Sequence, residues 1–427
     1  MYLLYSALLT LWLVVTLPYW FLQMGRHGKY RAGLAERLGK VPKRLHLSSS
    51  KPVIWIHAVS VGEVLAVSGV AAKLGHRFPD YRVLVSTTTD TGQKLARKRF
   101  GEENVFYFPV DFAFAIRPYL RALRPRLVVI AETEFWPNFL RLVAQSGARI
   151  AVVNARISDR SFHGYRRFRS WLTKILKSAA VFLAQTEEDR RRLAEIGAPA
   201  DRIEITGNLK FDVSPPEPPP IVASLRSSFE HAGAGPILVC GSTVEDEEPL
   251  LLRAFENVLA SHPRAVMILA PRHPERFLQV AALLEKLGMR FWRRSLWNGQ
   301  PLAGGVFLVD SIGELAALYS LATLAFVGGS LVPQGGHNII EPAQYGVPII
   351  VGTHTENFRD IVGLFQRRNA VRIVGPAELP LAFMELISNE AERTALGRRG
   401  AETLRDQAGA TGRTVAALEK LLSSPAK

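Results

Sequence analysis

Cysteine is almost absent from this chain: Cys240 is the only one in 427 residues, so no intrachain disulfide and no cysteine cluster can form. It sits in the apolar run 237–240, where a core thiol in a reducing compartment is expected. The P-loop sequence is missing, and the stretch GGSLVPQGG (328–336) lacks the GxGxxG spacing of dinucleotide sites. Neither Asp-x-Asp nor HExxH occurs, so a metal-dependent phosphate site has no evident ligands and none is expected. Acidic residues are the scarcer charge, 38 against 53 Lys and Arg, a formal net charge of +15. That balance favours a polyanion: nucleic acid, an anionic membrane surface or a phosphorylated substrate. With no zinc-finger, cold-shock or RRM signature and no long basic tail, nucleic acid is not expected.

Charge of either sign is missing from residues 1–25, where YLLYSALLTLWLVVTLPYWFL is almost wholly apolar. Roughly 20 such residues span a bilayer core as a helix. A secretory signal needs a basic start and a small-residue cleavage site, and neither is present. Arg26, Lys29, Arg31, Arg37, Lys40, Lys43 and Arg44 all follow the segment. A membrane-anchor helix over 1–25 is therefore expected, with Trp12, Tyr19 and Trp20 at the interfaces and the body in the cytoplasm. A helix lying in one leaflet is the alternative.

What is present in quantity is an alternation of apolar runs and helix-length segments. Strands are expected at 53–57, 81–87, 127–131, 150–154, 180–184 and 203–206, and again at 237–240, 265–270, 306–309, 324–327, 347–351 and 371–374. Between the two sets lies SPPEPPP (214–220), which neither a helix interior nor a central strand tolerates. Strands spaced by helices imply parallel sheets covered on both faces, hence an α/β fold. The expected organisation is an anchor (1–25), a first doubly wound domain (26–213), a linker (214–220) and a second (221–427). Ligands of such domains bind at the C-terminal ends of the strands, in a cleft between the two.

The chemistry-bearing residues fall at those ends. In FVGGSLVPQGGHNIIEPAQYGVPIIVG (326–352) a strand leads to a glycine loop, and Asn338-x-x-Glu341 opens a helix. Bare glycines and helix N–H groups suit a phosphate, and Glu341 suits sugar hydroxyls. An ordinary glycine-rich turn reads the same way. Each half also begins with a similar turn, Ser60-x-x-Glu63 and Ser242-x-x-Glu245, both fitting a capping box. Glu63 is then either a cap or a carboxylate that takes a proton at the cleft. Arg272, after the strand 265–270, is placed to grip a phosphate or to end a proline turn. Ser311-Ile312-Gly313-Glu314 offers backbone to a base edge or merely starts a helix. Glu132-Thr133-Glu134 follows a strand, and Lys210 precedes the linker. Residues 165–177 (YRRFRSWLTKILK) form a basic amphipathic helix, suited to a sheet face or to anionic headgroups.

Six segments in order, KPVIWIHAVSVGE (51–63), AETEFWPN (131–138), VNARIS (153–158), TGNLKFD (206–212), LAPRHPERF (269–277) and FVGGSLVPQGGHNIIEP (326–342), resemble the 3-deoxy-D-manno-octulosonic acid (Kdo) transferases of lipopolysaccharide synthesis. The resemblance runs from the N-terminal segment to about the last forty residues. It implies a GT-B glycosyltransferase of two facing Rossmann-like domains, at the inner membrane. The donor would be CMP-Kdo and the acceptor a lipid A precursor (lipid IVA), with no cofactor. It assigns Glu63 as proton acceptor, Glu132 and Lys210 as supporting groups, and Pro271, Arg272, Ile312, Gly313, Glu314, Asn338, Ile339, Ile340 and Glu341 to the cytidylate. Two readings compete: another GT-B enzyme using a UDP- or ADP-sugar, and a non-catalytic membrane-anchored nucleotide-binding protein in which Glu63 only caps its helix.

Overall fold

A computed structural model of the chain describes residues 2–27, 33–46, 51–212 and 217–423, without the side chains of residues 17–27 and 160. It divides into two compact units, Met1–Val213 with Gln407–Lys427, and Ser214–Asp406.

The first unit is built on seven strands: β1 (Val53–His57), β2 (Arg82–Thr87), β3 (Val105–Tyr107), β4 (Pro125–Ala131), β5 (Arg149–Ala155), β6 (Val181–Ala184) and β7 (Ile203–Ile205). All pair in parallel in the order β3-β2-β1-β4-β5-β6-β7. Because side chains alternate across a strand, β1 feeds two cores. Val53 and Trp55 join Phe106, Tyr119, Phe139 and Phe182 on one face. Ile54 and Ile56 meet Val64, Val67, Val70 and Leu74 of the helix Val61–Arg77 on the other.

The second unit repeats the plan with β8 (Ile237–Thr243), β9 (Val266–Pro271), β10 (Phe291–Arg293), β11 (Gly305–Leu308), β12 (Leu324–Val327), β13 (Ile349–Val351) and β14 (Arg372–Ile373). The order is β10-β11-β9-β8-β12-β13-β14, again all parallel. Buried apolar clusters lie on both faces of this sheet as well. Fully buried Cys240 lies in β8, its thiol held protonated by burial and by the nearby Glu247 carboxylate.

Several details depart from the sequence reading. The last helix, Ala410–Ser423, belongs with the first unit and not with 221–406: Val415, Leu418 and Leu422 are buried in the same cluster as Val64 and Val67. Residues 214–216 of the proline segment lie outside the described residues. Its last member, Pro220, opens the helix Pro220–Ala232, where a missing N–H costs nothing. The basic stretch 165–177 is two helices, Asp159–Arg167 and Arg169–Leu176, that meet at the exposed Phe168, while Leu172, Ile175 and Leu176 are buried on the first sheet.

The expected anchor is corrected. The helix Tyr2–His27 forms, but no helix among the described residues is long and apolar enough to cross a membrane. A single N-terminal transmembrane anchor is not supported, and the placement of the body in the cytoplasm, which rested on it, loses its basis. The first two turns of this helix are engaged with the globular unit through polar groups. The Arg141 guanidinium lies 4.5 Å from the Tyr2 ring, Asn138 Nδ2 donates to Ser6 Oγ at 3.0 Å, and Tyr5 hydrogen-bonds Asp111. Turns committed in this way are not available to hydrocarbon. Lys29 and Arg31, and the side chains of Tyr19, Trp20 and Arg26, lie outside the described residues.

Candidate active site

In the first unit the polar groups gather where β1, β4 and β5 end. Ser60 caps the helix Val61–Arg77, its Oγ accepting from the Glu63 N–H at 3.4 Å. Glu63 reaches back: Oε2 accepts from the Val59 N–H at 2.8 Å, and Oε1 from the Ser60 hydroxyl at 3.0 Å. Glu63 thus reaches back as in a capping box, but to the Val59 N–H, one residue before the cap, and the same residue is buried to 8% exposure. Burial pushes its pKa up to about 7, with the Glu132 and Glu134 charges adding to the rise and the Val59 and Ser60 hydrogen bonds opposing it. A cap that is half protonated near neutrality is also a proton acceptor, so the two readings of Glu63 are compatible.

Glu132 follows β4 in a left-handed conformation (φ 55°), and its N–H donates to the Val153 carbonyl at 2.9 Å. Lys210 Nζ lies 3.4 Å from Glu132 Oε1, with both side chains partly exposed. The turn carrying Lys210 is held from below by Asn154, fully buried and also left-handed (φ 53°), whose Oδ1 accepts from the Leu209 N–H at 3.0 Å. Glu134 joins the group, its own pKa raised by burial and by Glu132. His57 at the end of β1 does not compete for the proton. It is fully buried and stacked 3.8 Å from Phe108, with Nδ1 3.0 Å from Ser86 Oγ, and burial drives its pKa down to about 3.

In the second unit Pro271 ends β9, and the Arg272 N–H donates to the Thr243 carbonyl at 2.8 Å, which fixes Arg272 at the C-terminal edge of the sheet. Its charge reaches two members of the glycine loop. Burial, then Arg272 and His273, hold the His337 imidazole down to about 4, so it is neutral. Burial raises the Glu341 carboxyl, while Asn338 and Arg272 oppose that rise. Asn338 Nδ2 donates to Glu341 Oε1 at 3.3 Å, and Asn338 Oδ1 accepts from the Ile340 N–H at 3.2 Å. Ile339 and Ile340 are themselves buried, so their side chains serve the core and only backbone is offered to a ligand.

The loop differs from expectation in its donors. The helix after Asn338 is a single turn, Ile340–Ala343, and brings little dipole. The N–H groups of Gly328, Gly329, Ser330, Leu331 and Gly336 are all spent inside the protein, on Gly241, Glu247 and Gly329. Arg272 brings a cationic side chain whose charge reaches this loop. Glycine at 329 (φ 69°) answers a different need, since a Cβ there would lie 2.8 Å from the His337 ring.

The curated relatives decide what this arrangement belongs to. A protein of Haemophilus influenzae named 3-deoxy-D-manno-octulosonic acid transferase is 34% identical over 401 residues, 92% of each chain. Its namesake from Bordetella pertussis is 35% identical over 418 residues, covering 92% of this chain and 93% of that one. The chain belongs to the 3-deoxy-D-manno-octulosonic acid transferase family. The family profile described as 3-Deoxy-D-manno-octulosonic-acid transferase (kdotransferase) matches residues 32–213. The transferase is a glycosyltransferase with the GT-B type of fold, which it shares with solved structures of low identity. A glycosyltransferase from Rickettsia africae aligns with TM-score 0.56 and 15% identity over 88% of this chain and 100% of that one. UDP-GlcNAc 2-epimerase from Neisseria meningitidis gives 0.58 and 14%, over 86% and 100%.

Of the site residues named from the sequence of this transferase, Glu63, Glu132 and Lys210 come together in the first unit, and Arg272, Asn338 and Glu341 in the second. The third group is only partly available. Ile312 and Gly313 are exposed, but Glu314 is gripped by Arg294, whose Nε and Nη2 lie 3.1 and 2.9 Å from its two oxygens, and it also accepts from the Ser311 hydroxyl. Ser242-x-x-Glu245 makes no capping box. Ser242 is left-handed (φ 56°), Glu245 is exposed and pairs with Arg276 at 3.1 Å, and the helix begins only at Glu248. Sequence reasoning missed Asn154, Arg294 and Glu247, and named Glu134 in its motif without giving it a role. An asparagine ending a strand was a usable sign for Asn154, because asparagine tolerates left-handed backbone.

Proposed function

We propose that the protein transfers Kdo from CMP-Kdo to a lipid A precursor such as lipid IVA, in lipopolysaccharide inner-core synthesis, with inversion at the anomeric carbon. The observation that carries the mechanism is Glu63, a buried carboxylate with pKa near 7 under the charge of Glu132, which itself pairs with Lys210. A primary hydroxyl of the acceptor glucosamine gives its proton to Glu63 as its oxygen bonds to the donor's anomeric carbon. The bond from that carbon to the phosphate oxygen breaks, and the electron pair leaves with CMP. Attack from the face opposite the phosphate inverts the centre. Negative charge builds on the departing phosphate, and Arg272 is the cation suited to stabilise it. Asn338 and Glu341 suit the ribose hydroxyls, and the backbone at Ile312 and Gly313 the base. Lys210, held by Glu132 and by the Asn154 turn, offsets the carboxylate charge around Glu63.

Incubation with CMP-Kdo and tetra-acylated lipid A precursor, followed by weighing of the product, tests this reading. The expected mass gain is a whole number of Kdo residues. CMP is expected to compete with the donor, and UDP and ADP are not. Competition by UDP or ADP alone, with no Kdo-bearing product, moves the assignment to another sugar nucleotide.

A further inference from the structure

The second unit hides a carboxylate that the proposed reaction does not use. Glu247 is fully buried at the turn between β8 and the helix Glu248–Ser261. Its neighbour Glu248, equally buried, is neutralised by Arg276, with Nη2 3.0 Å from Oε2. Glu247 is instead met by backbone. Oε2 accepts from the Gly329 N–H at 2.7 Å and the Val244 N–H at 3.1 Å. Oε1 accepts from the N–H groups of Ser330 and Leu331, each at 2.8 Å. Four N–H donors fill the accepting capacity of one carboxylate and oppose the burial that raises its pKa.

Three of those donors are consecutive residues of the glycine loop, and the loop is built around the contact. A Cβ on Gly328 would come within 2.5 Å of the Ser242 carbonyl, 2.7 Å of Thr243 Cα and 2.8 Å of Glu247 Oε2, so the packing of the loop on the end of β8 and on this carboxylate needs glycine there. From Gly329 the connection continues outward. The Gly329 carbonyl accepts from the Gly336 N–H at 2.6 Å, and the His337 ring packs against Gly329 Cα. The next residues are Asn338 and Glu341. Ser330 ties the same loop to the end of β13, its Oγ accepting from the Gly352 N–H at 2.8 Å.

We infer that Glu247 is a positioning residue for donor binding: its buried carboxylate gathers the Gly329–Leu331 amides and so sets the register in which His337, Asn338 and Glu341 meet the nucleotide. The inference rests on the glycine loop being the donor site. Glu247→Gln keeps the shape but replaces one accepting oxygen by an NH2 group that opposes backbone N–H donors. Since 1.4 kcal/mol is tenfold and a buried unmatched donor costs at least that order, the donor KM and the CMP Kd are expected to rise about tenfold or more, with the acceptor KM within about twofold. Glu248→Gln, which weakens the Arg276 pairing and the Thr243 hydroxyl contact but touches no glycine-loop amide, is the comparator: a lowered Tm with unchanged donor KM. An unchanged donor KM in folded Glu247→Gln, or an equal rise in Glu248→Gln, overturns the inference.

Hydrogen exchange on the wild-type protein gives a reading that needs no variant to fold. The Gly329, Ser330 and Leu331 amides are expected to be protected before CMP is added, and rapid exchange there overturns the strut. Separately, CMP is expected to add protection over residues 335–341. If it binds and leaves that segment unchanged, the donor-site reading fails while the strut stands.

Discussion

Glu63 and Glu247 occupy similar places, each just after the central strand that begins its sheet pattern, yet hydrogen bonding gives them different work. A carboxylate accepts about four hydrogen bonds. Glu247 spends all four on backbone N–H groups and has no lone pair for a proton. Glu63 spends two, on Val59 and Ser60, and sits beside two further carboxylates. Its raised pKa has two consequences of opposite usefulness. Transfer requires the ionised form, so the rate at saturating substrate is expected to rise with pH up to about 7 and then level off. Stability runs the other way. Between the ordinary value of 4.5 and about 7 the folded state binds more protons at this site than the unfolded chain, so this site's contribution is fully present below pH 4.5 and is lost as pH rises through 7. Glu63→Gln carries no such burden. It is expected to lose transfer by two or more orders of magnitude, and to exceed the wild type in stability by up to about 3 kcal/mol at pH 8, with the gain falling below about 1 kcal/mol at pH 5 and vanishing only below 4.5. Thermal melts at both pH values check this, and a gain that is larger at pH 5 contradicts the assignment.

At the scale of elements, fully buried strands were legible because hydrophobicity alone announces them: the expected 53–57 and 324–327 match β1 and β12. The two that escaped, β3 and β10, have three residues each, and β10 is half-buried with an arginine at its end. Strand ends, where the chemistry lies, were harder. At the β8 turn Ser242 and Asp246 both turn left-handed (φ 56° and 70°), which delays the helix to Glu248 and leaves the expected cap at Glu245 unformed. Spacing rules assume the helix begins at once, and no pattern foretold the delay. Bare glycines predict a source of free N–H donors in the glycine loop, whereas a buried side chain far off in sequence consumes three of them. Asn154 is a similar case, a strand-end residue whose partner Leu209 is 55 positions away. Asn154→Ala removes the acceptor and forces alanine into left-handed backbone, with an expected cost of about 1–3 kcal/mol. Because the Leu209 turn carries Lys210, kcat is expected to fall more than the folded fraction accounts for. Asn154→Asp, which keeps both the acceptor and the tolerance for that backbone, is expected to recover most of the activity. Equal kcat for the two variants after correction for folded fraction removes the link to Lys210.

For the whole molecule the consequential feature is the return of the chain to its first unit after Asp406. Val415, Leu418 and Leu422 are buried there, and full burial of one large aliphatic side chain stabilises by about 1.5–3 kcal/mol. Three together are worth roughly 5–9 kcal/mol, the same order as the net stability of an entire domain. The returning segment also touches the site. Asp212 accepts from the Gly409 and Thr411 N–H groups, and Arg413 Nε donates to the Thr206 carbonyl at 2.9 Å. These contacts bracket the Thr206–Asp212 segment that presents Lys210. A protein ending at Asp406 is therefore expected to lose the first unit's melting transition and all transfer. The second unit keeps its sheet and both of its cores, so CMP binding and the Gly329–Leu331 amide protection are expected to persist. Calorimetry with and without CMP separates the outcomes. The expected trace has one transition that CMP shifts upward, and a second, CMP-insensitive transition near the wild-type temperature would show that the final helix contributes little to the fold of the first unit.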